Sequence, residues 1–342
     1  MRRLPPGRLL ARLVALGHVD PEWAADREVS LVDASRSNPV HLLAVDGEVE
    51  LVVKQSGPAF DGVDSVASEK RALGWVESHL RERTLAPRML APSEDGLLVV
   101  EAVRASVPLH HVVAEGTDDA RRAVLDLAGR LGALHRMAPD GVPTRSVPWA
   151  LRLPEGPPEA IAHADGVREA VGAVGECRAL VGTMRSLRAR WRDQCMVHGD
   201  LKFDNVLVTG LGGALRCWLI DWELGAGGLP EWDAAGLVEG LLADALHGDA
   251  TDDVLLRALV EAATDPLRCY RASADGAGGA PRAMLEALAV RVAQTAVQVV
   301  AMRAAGFASR PAETVPQLLR AAERIAVRAG DWAGRVACGR AA

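Results

Sequence analysis

One short stretch of this 342-residue chain groups side chains that could do chemistry together. It reads Val197-His198-Gly199-Asp200-Leu201-Lys202-Phe203-Asp204-Asn205-Val206-Leu207-Val208, and Trp218-Leu219-Ile220-Asp221-Trp222-Glu223 follows shortly after. Apolar runs of strand character flank both segments, so both present polar groups at strand ends. Asp200, Asn205 and Asp221 thereby supply two carboxylates and an amide. Phosphoryl transfer needs such a set. One carboxylate accepts the proton of an attacking hydroxyl, while carboxylate and amide oxygens hold magnesium on nucleotide phosphates. The five-residue step from Asp200 to Asn205 matches a kinase catalytic loop. A lone His-Gly-Asp could equally be a tight turn; the joint pattern narrows the reading.

That joint pattern, HGDxxxxN followed by a strand ending in Asp, resembles the aminoglycoside phosphotransferase and choline kinase group, relatives of the protein kinases. The similarity spans about residues 28 to 330. The resemblance implies an α+β, bilobal protein-kinase-like fold with ATP and Mg2+ as cofactors. It makes Asp200 the catalytic base and Asn205 and Asp221 the magnesium ligands, with His198 and Lys202 completing the candidate catalytic set. Pro230-Glu231-Trp232-Asp233 resembles a later element whose Asp braces the catalytic loop. The first half should then offer a strand lysine for the α- and β-phosphates and a helix acid to orient it. Lys54, closing Leu51-Val52-Val53-Lys54, and Glu69 on the next helix fit those places, with Glu77 two turns on as the competing acid. No GxGxxG joins the first two strands. Ser35 and Ser37 in Ala34-Ser35-Arg36-Ser37-Asn38 are the candidates there for backbone contact with phosphate. By position, the adenine-gripping hinge falls at Glu101 to Arg104, with Glu101 and Val103 as contacts.

The acceptor is less legible. Acids in the second half (Asp244, Asp249, Asp252, Asp253, Glu261, Asp265) could bind a cationic aminoglycoside, or form a solvated face. Lys202, two residues after Asp200, resembles the lysine that Ser/Thr protein kinases aim at the transferred phosphate. The loop and its surroundings also resemble kinase-like enzymes of lanthipeptide and thioamitide pathways. Two acceptors follow as expectations: a small hydroxyl compound, choline- or aminoglycoside-like, or Ser/Thr of a precursor peptide, with a partner enzyme of the same pathway. A pseudokinase-like scaffold without turnover is the alternative, weakened by the intact Lys54, Asp200, Asn205 and Asp221.

The elements that must position these groups follow from periodicity. Val29–Val32, Val40–Val45 and Val49–Val53 read as strands, with Asp46-Gly47 as a hairpin turn. Val63 to Arg83 has helical spacing, and Met89–Leu90 and Leu97–Val103 are two further strand runs. Residues 1–104 thus form a nucleotide-binding lobe: a five-stranded antiparallel sheet, one inserted helix and a helical extension over 1–27. Residues 105–342 form a helical lobe with the catalytic loop and acceptor site. Its helices are expected at Asp118–Met137, Glu159–Arg192, Trp232–His247, Asp253–Ala263, Pro281–Ala305 and Thr314–Ala329. Residues 139–158 are expected as a proline-rich surface connection.

Composition sets the outer bounds. The apolar fraction is 49% and the charged fraction 25%, so the chain can bury a core. A net charge of −6 offers no global attraction to nucleic acid or anionic membrane. No stretch approaches the roughly 18 uninterrupted apolar residues of a membrane helix. The five cysteines are scattered without CxxC spacing, which suits free thiols in a reducing cytoplasm. Of the 39 basic residues only Lys54, Lys70 and Lys202 are lysines. Two of these three stand where a compact ammonium would meet phosphate better than a guanidinium fork.

Overall fold

A computed structural model describes residues 4–35, 39–57, 64–80, 85–91, 96–246, 250–274, 280–307 and 313–340. Helices α1 (Pro6–Ala15) and α2 (Pro21–Asp26) lead into strands β1 (Val29–Asp33), β2 (Val40–Val45) and β3 (Glu48–Gln55). Asp46 and Gly47 both take positive φ, 53° and 83°, as a two-residue hairpin turn with strand-matched twist requires. Helix α3 (Ser65–His79) follows, its N-terminus capped by the Asp64 carboxylate, which accepts from the Val66 and Ala67 amides. Strand β4 (Leu97–Glu101) completes an antiparallel sheet of order β1-β2-β3-β4.

Alternation along these strands divides the sheet into two faces. Leu43, Val45, Leu51, Val53, Leu97 and Val99 pack against Leu9 and Leu13 of α1. Val52, Leu98 and Val100 face α3 and the main core. Lys54, two residues after Val52, therefore points to the α3 side. The expected fifth strand at Met89–Leu90 shrinks to one bridge, Met89 with Val100. Pro87 just upstream lacks the N–H that a longer ladder would need.

Beyond β4 the chain becomes mainly helical. Strand β5 (Val107–Pro108) leads to α4 (Leu109–Ala114) and α5 (Asp118–His135), then α6 (Val167–Glu176) and α7 (Arg178–Arg190). Strands β6 (Cys195–Val197), β7 (Val206–Thr209), β8 (Arg216–Leu219) and β9 (Ala226–Gly228) interrupt before α8 (Pro230–Leu241), α9 (Ala243–Leu246), α10 (Asp252–Ser273), α11 (Pro281–Ala304) and α12 (Thr314–Cys338). β5, β7 and β8 form one small sheet; β6 and β9 form another. Mixed α+β composition, with an antiparallel sheet first and helices after, is the arrangement expected of a kinase-like fold.

Several boundaries differ from the sequence reading for physical reasons. The segment expected as one helix over Glu159–Arg192 contains two, with the break at Cys177, whose ψ of 89° is non-helical. Helix α10 runs ten residues past Ala263 and keeps Pro266 inside, buried with Leu267 and Tyr270. The 139–158 connection is not all surface: Trp149, Ala150, Leu151 and Leu153 are buried in a short 3₁₀ turn. Helix α11 is long and apolar enough to cross a membrane by length and composition, but 78% of its most apolar window is buried inside the protein. It packs on α12, α8, α6 and α7.

Candidate active site

Strand β6 is wholly buried and carries the chain into the loop that begins at His198. Gly199 takes φ +81°, and a Cβ there would lie 2.5 Å from the Leu224 carbonyl oxygen, so glycine is required. Asp233, fully buried near the start of α8, accepts from the backbone N–H of His198 at 2.6 Å and of Gly199 at 3.0 Å. His135 Nε2, at the end of α5, lies 3.2 Å from the same carboxylate, and its Nδ1 meets the Tyr270 hydroxyl at 2.7 Å. Burial opposes ionisation of Asp233, but the hydrogen bond from His135 and the nearby His198 outweigh it and hold the carboxyl below its ordinary range. The bracing expected of Asp233 is thus present as geometry.

The loop's working groups converge after that turn. Lys202 Nζ donates to Asp200 Oδ2 at 2.8 Å, and Asn205 Nδ2 donates to the same oxygen at 3.1 Å and to the Asp200 carbonyl at 3.0 Å. Asp200 Oδ1 has no hydrogen bond among the described residues. His198 is different. Its side chain has no exposed surface, its Nε2 sits 2.9 Å from the Ile220 carbonyl, and its ring stands edge-on to Trp222. It touches neither cavity described below, so the expected catalytic role is corrected to positioning: it ties β6 to the turn before Asp221.

Asp221 lies just beyond β8 in the left-handed region, φ 66° and ψ 59°, a conformation Asp tolerates better than most residues. Lys54 Nζ reaches across from β3 and donates to Asp221 Oδ1 at 2.8 Å and to Glu69 Oε2 at 2.7 Å. Burial would lower the Lys54 pKa, but the two carboxylates outweigh it and raise the pKa above that of free lysine. Glu69 is raised chiefly by burial, whereas Asp221 is lowered because Lys54 outweighs its burial. Glu69 is therefore the helix acid; Glu77 is exposed. Glu223, not singled out in the sequence, is pushed up to about 7 by burial and then by Asp221.

Two cavities flank this centre. One, of about 460 Å³, lies between the sheet and β7–β8, lined by Leu42, Val52, Lys54, Val100, Val103 and Asp221. Glu101 and Val103, the residues expected at the hinge, line it as well. Ser35 does not: its hydroxyl accepts from the Val40 N–H at 3.0 Å and its own N–H donates to Asp33 at 2.9 Å. It closes the β1–β2 turn and is not among the residues lining this cavity, although its neighbour Ala34 is; Ser37 lies outside the described residues. The second cavity, about 600 Å³, opens on the other side of Asp200 between the loop, α8 and α11. Gly236 on α8 permits this approach, since a Cβ there would stand 2.4 Å from the Leu201 carbonyl. The acids considered for a cationic acceptor do not gather here. Asp244, Asp253 and Glu261 are exposed, Asp252 pairs with Arg328, Asp265 pairs with Arg121, and Asp249 lies outside the described residues.

The donor set suits magnesium. Asp221 Oδ2 and Asn205 Oδ1 are hard oxygens with no hydrogen bond among the described residues, and no group of three His, Cys, Asp or Glu among them forms a cage. A site with one carboxylate, one amide and room for phosphate oxygens is how proteins hold this ion. The carboxylates gathered around Asp221, which add to the burial that pushes Glu223 up to about 7, are what a divalent cation would relieve.

Lys202→Arg should not be conservative. The guanidinium fork would grip Asp200 in two parallel bonds and hold the carboxylate back. The expected result is a 10- to 100-fold lower kcat, about one charge-assisted hydrogen bond, with little change in nucleotide affinity. Steady-state kinetics with nucleotide titration checks it, and an unchanged kcat would return Lys202 to a solvent role.

Fold and site together define a kinase-like phosphotransferase with a hydroxyl acceptor. The chain belongs to the phosphotransferase enzyme family, whose family model matches residues 28–275. Among solved structures it is similar to a choline/ethanolamine kinase family protein from Mesorhizobium loti, at 15% identity and a TM-score of 0.56, over 95% of this chain and 99% of that one. It is also similar to a choline kinase from Cryptosporidium parvum, at 10% identity and a TM-score of 0.57, over 93% and 94%. An aminoglycoside phosphotransferase in complex with gentamicin aligns at 15% identity and a TM-score of 0.53, over 95% and 99%. No curated protein matches the chain in sequence.

Proposed function

We propose that this protein transfers the γ-phosphoryl group of Mg-ATP to the hydroxyl of a small molecule. One observation carries the reading: Lys54 bonds Glu69 and Asp221 at 2.7 and 2.8 Å beside one cavity, while Asp200 lines another. Lys54 and the apolar slab of Leu42, Val52 and Val103 would hold the nucleotide, and Asp221 and Asn205 the magnesium. Bound there, the ion supplies charge neutralisation for the phosphates. Asp200 Oδ1, the carboxylate oxygen left without a partner, accepts the proton of the acceptor hydroxyl as its oxygen bonds to phosphorus and the bond to the ADP oxygen breaks. Lys202 and Asn205, fixed on Oδ2, hold that carboxylate in place. The acceptor cavity's size suits a small molecule, and the named relatives act on such compounds. Five free cysteines fit a cytoplasmic setting.

The test is ATP consumption across a panel of small hydroxyl compounds, with Ser- and Thr-containing peptides as a second arm. Turnover confined to the peptide arm would overturn the small-molecule acceptor. Asp221→Asn should weaken Mg-dependent ATP binding by at least the roughly 10- to 100-fold that outer-shell changes cost metal sites. Calorimetric titrations that match wild type with and without magnesium would remove Asp221 from the metal.

A further inference from the structure

The acceptor cavity contains a charge arrangement that selects among hydroxyl compounds. Three carboxylates line it among the described residues, and the two less exposed ones, Asp200 and Glu239, each already have a cation. Asp200 takes Lys202 at 2.8 Å, and Asp204 faces His110 Nδ1 at 2.7 Å. Glu239 takes Arg291 Nε at 3.0 Å and the Thr295 hydroxyl at 2.5 Å. An ammonium entering this space would lose its hydration, while Asp200 and Glu239 are already neutralised and Asp204, 57% exposed, keeps much of its own water. The aromatic rings lining the cavity are those of Phe203, Phe307 and His110, with no tryptophan or tyrosine among the described residues.

The wall of the cavity also holds two polar atoms that have no partner in the protein. Arg291 and Gln294 lie one turn apart on α11, 5% and 6% exposed. Arg291 spends Nε on Glu239 and Nη2 on the Leu201 carbonyl, but Nη1 is buried without a partner. Gln294 Oε1 is buried without a partner too. An unmet donor and an unmet acceptor are each costly in a folded protein, and a ligand offering the complementary groups removes that cost. A hydroxyl or an amide offers both functions at once. We infer that the acceptor is an uncharged polyol- or amide-bearing alcohol, recognised by Arg291 Nη1 and Gln294 Oε1 rather than by acidic residues. This rests on the phosphotransferase reading and deepens it.

Matched pairs that differ in charge test the inference: ethanolamine against N-acetylethanolamine, and glucosamine against N-acetylglucosamine, with myo-inositol as a polyol. Each is scored by ATP consumption and by thermal shift in the presence of magnesium and a non-hydrolysable ATP analogue. The neutral member should give the higher kcat/KM and the larger shift. Gln294→Leu should raise KM for it by about 3- to 10-fold, one neutral hydrogen bond, with kcat little changed. Arg291→Gln frees Glu239 and should move the preference toward the ammonium member. Should Arg291→Gln fail to fold, Gln294→Leu decides alone. Preference of wild type for the ammonium member, no response to either class, or an unmoved KM in Gln294→Leu overturns the inference. The shift given by the nucleotide analogue alone separates the two claims: its presence leaves the phosphotransferase reading standing even if the acceptor class fails.

Discussion

Asp200→Asn is expected to lower kcat by 100- to 10,000-fold, the range associated with losing a positioned general base. The substitution is nearly isosteric, so the loop should survive it. Asn205 and Lys202 still find an oxygen if the new amide turns its carbonyl toward them, in place of the Oδ2 they share at 3.1 and 2.8 Å. What disappears is the basic Oδ1, replaced by an amide nitrogen that cannot take a proton. Nucleotide affinity should hold, because Lys54, Glu69 and Asp221 make their triad without Asp200. Single-turnover kinetics alongside nucleotide titration distinguishes the outcomes. A variant retaining most of its rate would remove Asp200 from proton transfer. One that loses rate and nucleotide affinity equally would mean that the loop had moved.

The residues that carry this chemistry were legible because their spacing is local. Asp200, Lys202 and Asn205 fall within six positions, and the strand before Asp221 makes its end recognisable. Lys54 was legible for a different reason: lysine is so rare here that its place at the end of β3 stood out. The alternation of β3 then fixed its face, two residues from Val52 and toward α3. Long-range pairing was harder. Nothing near His135 in sequence says that it meets Asp233, 98 positions away. A signal existed, since His135 ends the apolar face formed by Val124, Leu127, Leu131 and Leu134, where an unpaired imidazole would be costly. Arg291 and Gln294 gave the same kind of signal inside α11, a long and largely buried helix. A lone arginine buried there must find a carboxylate, and Glu239 is 52 positions back. At Ser35, turn composition alone did not say which way the hydroxyl faces; it turns inward to Val40.

Asp233→Ala carries the other large expected effect, on stability rather than on chemistry. The carboxylate is the shared acceptor for two buried backbone donors and faces His135, so its loss strands the His198 and Gly199 amides and removes the partner of His135 Nε2. Breaking a buried, hydrogen-bonded charge network in this way typically costs about 3–5 kcal/mol. The damage should reach activity too, since the turn those amides define is what aims Asp200. Asp233→Asn separates shape from charge: one oxygen still accepts, but the −NH₂ group opposes a backbone donor. The pH dependence has a definite sign. Because the folded-state pKa of Asp233 is depressed, its contribution is fully present above the unfolded carboxylate value of about 4 and is lost as pH falls through the lower folded value. Wild type should therefore lose stability on acidification more steeply than Asp233→Asn, which no longer has this proton to take up. Chemical denaturation at several pH values below 5 measures the two slopes; parallel curves would show that the ionised carboxylate does not hold the loop.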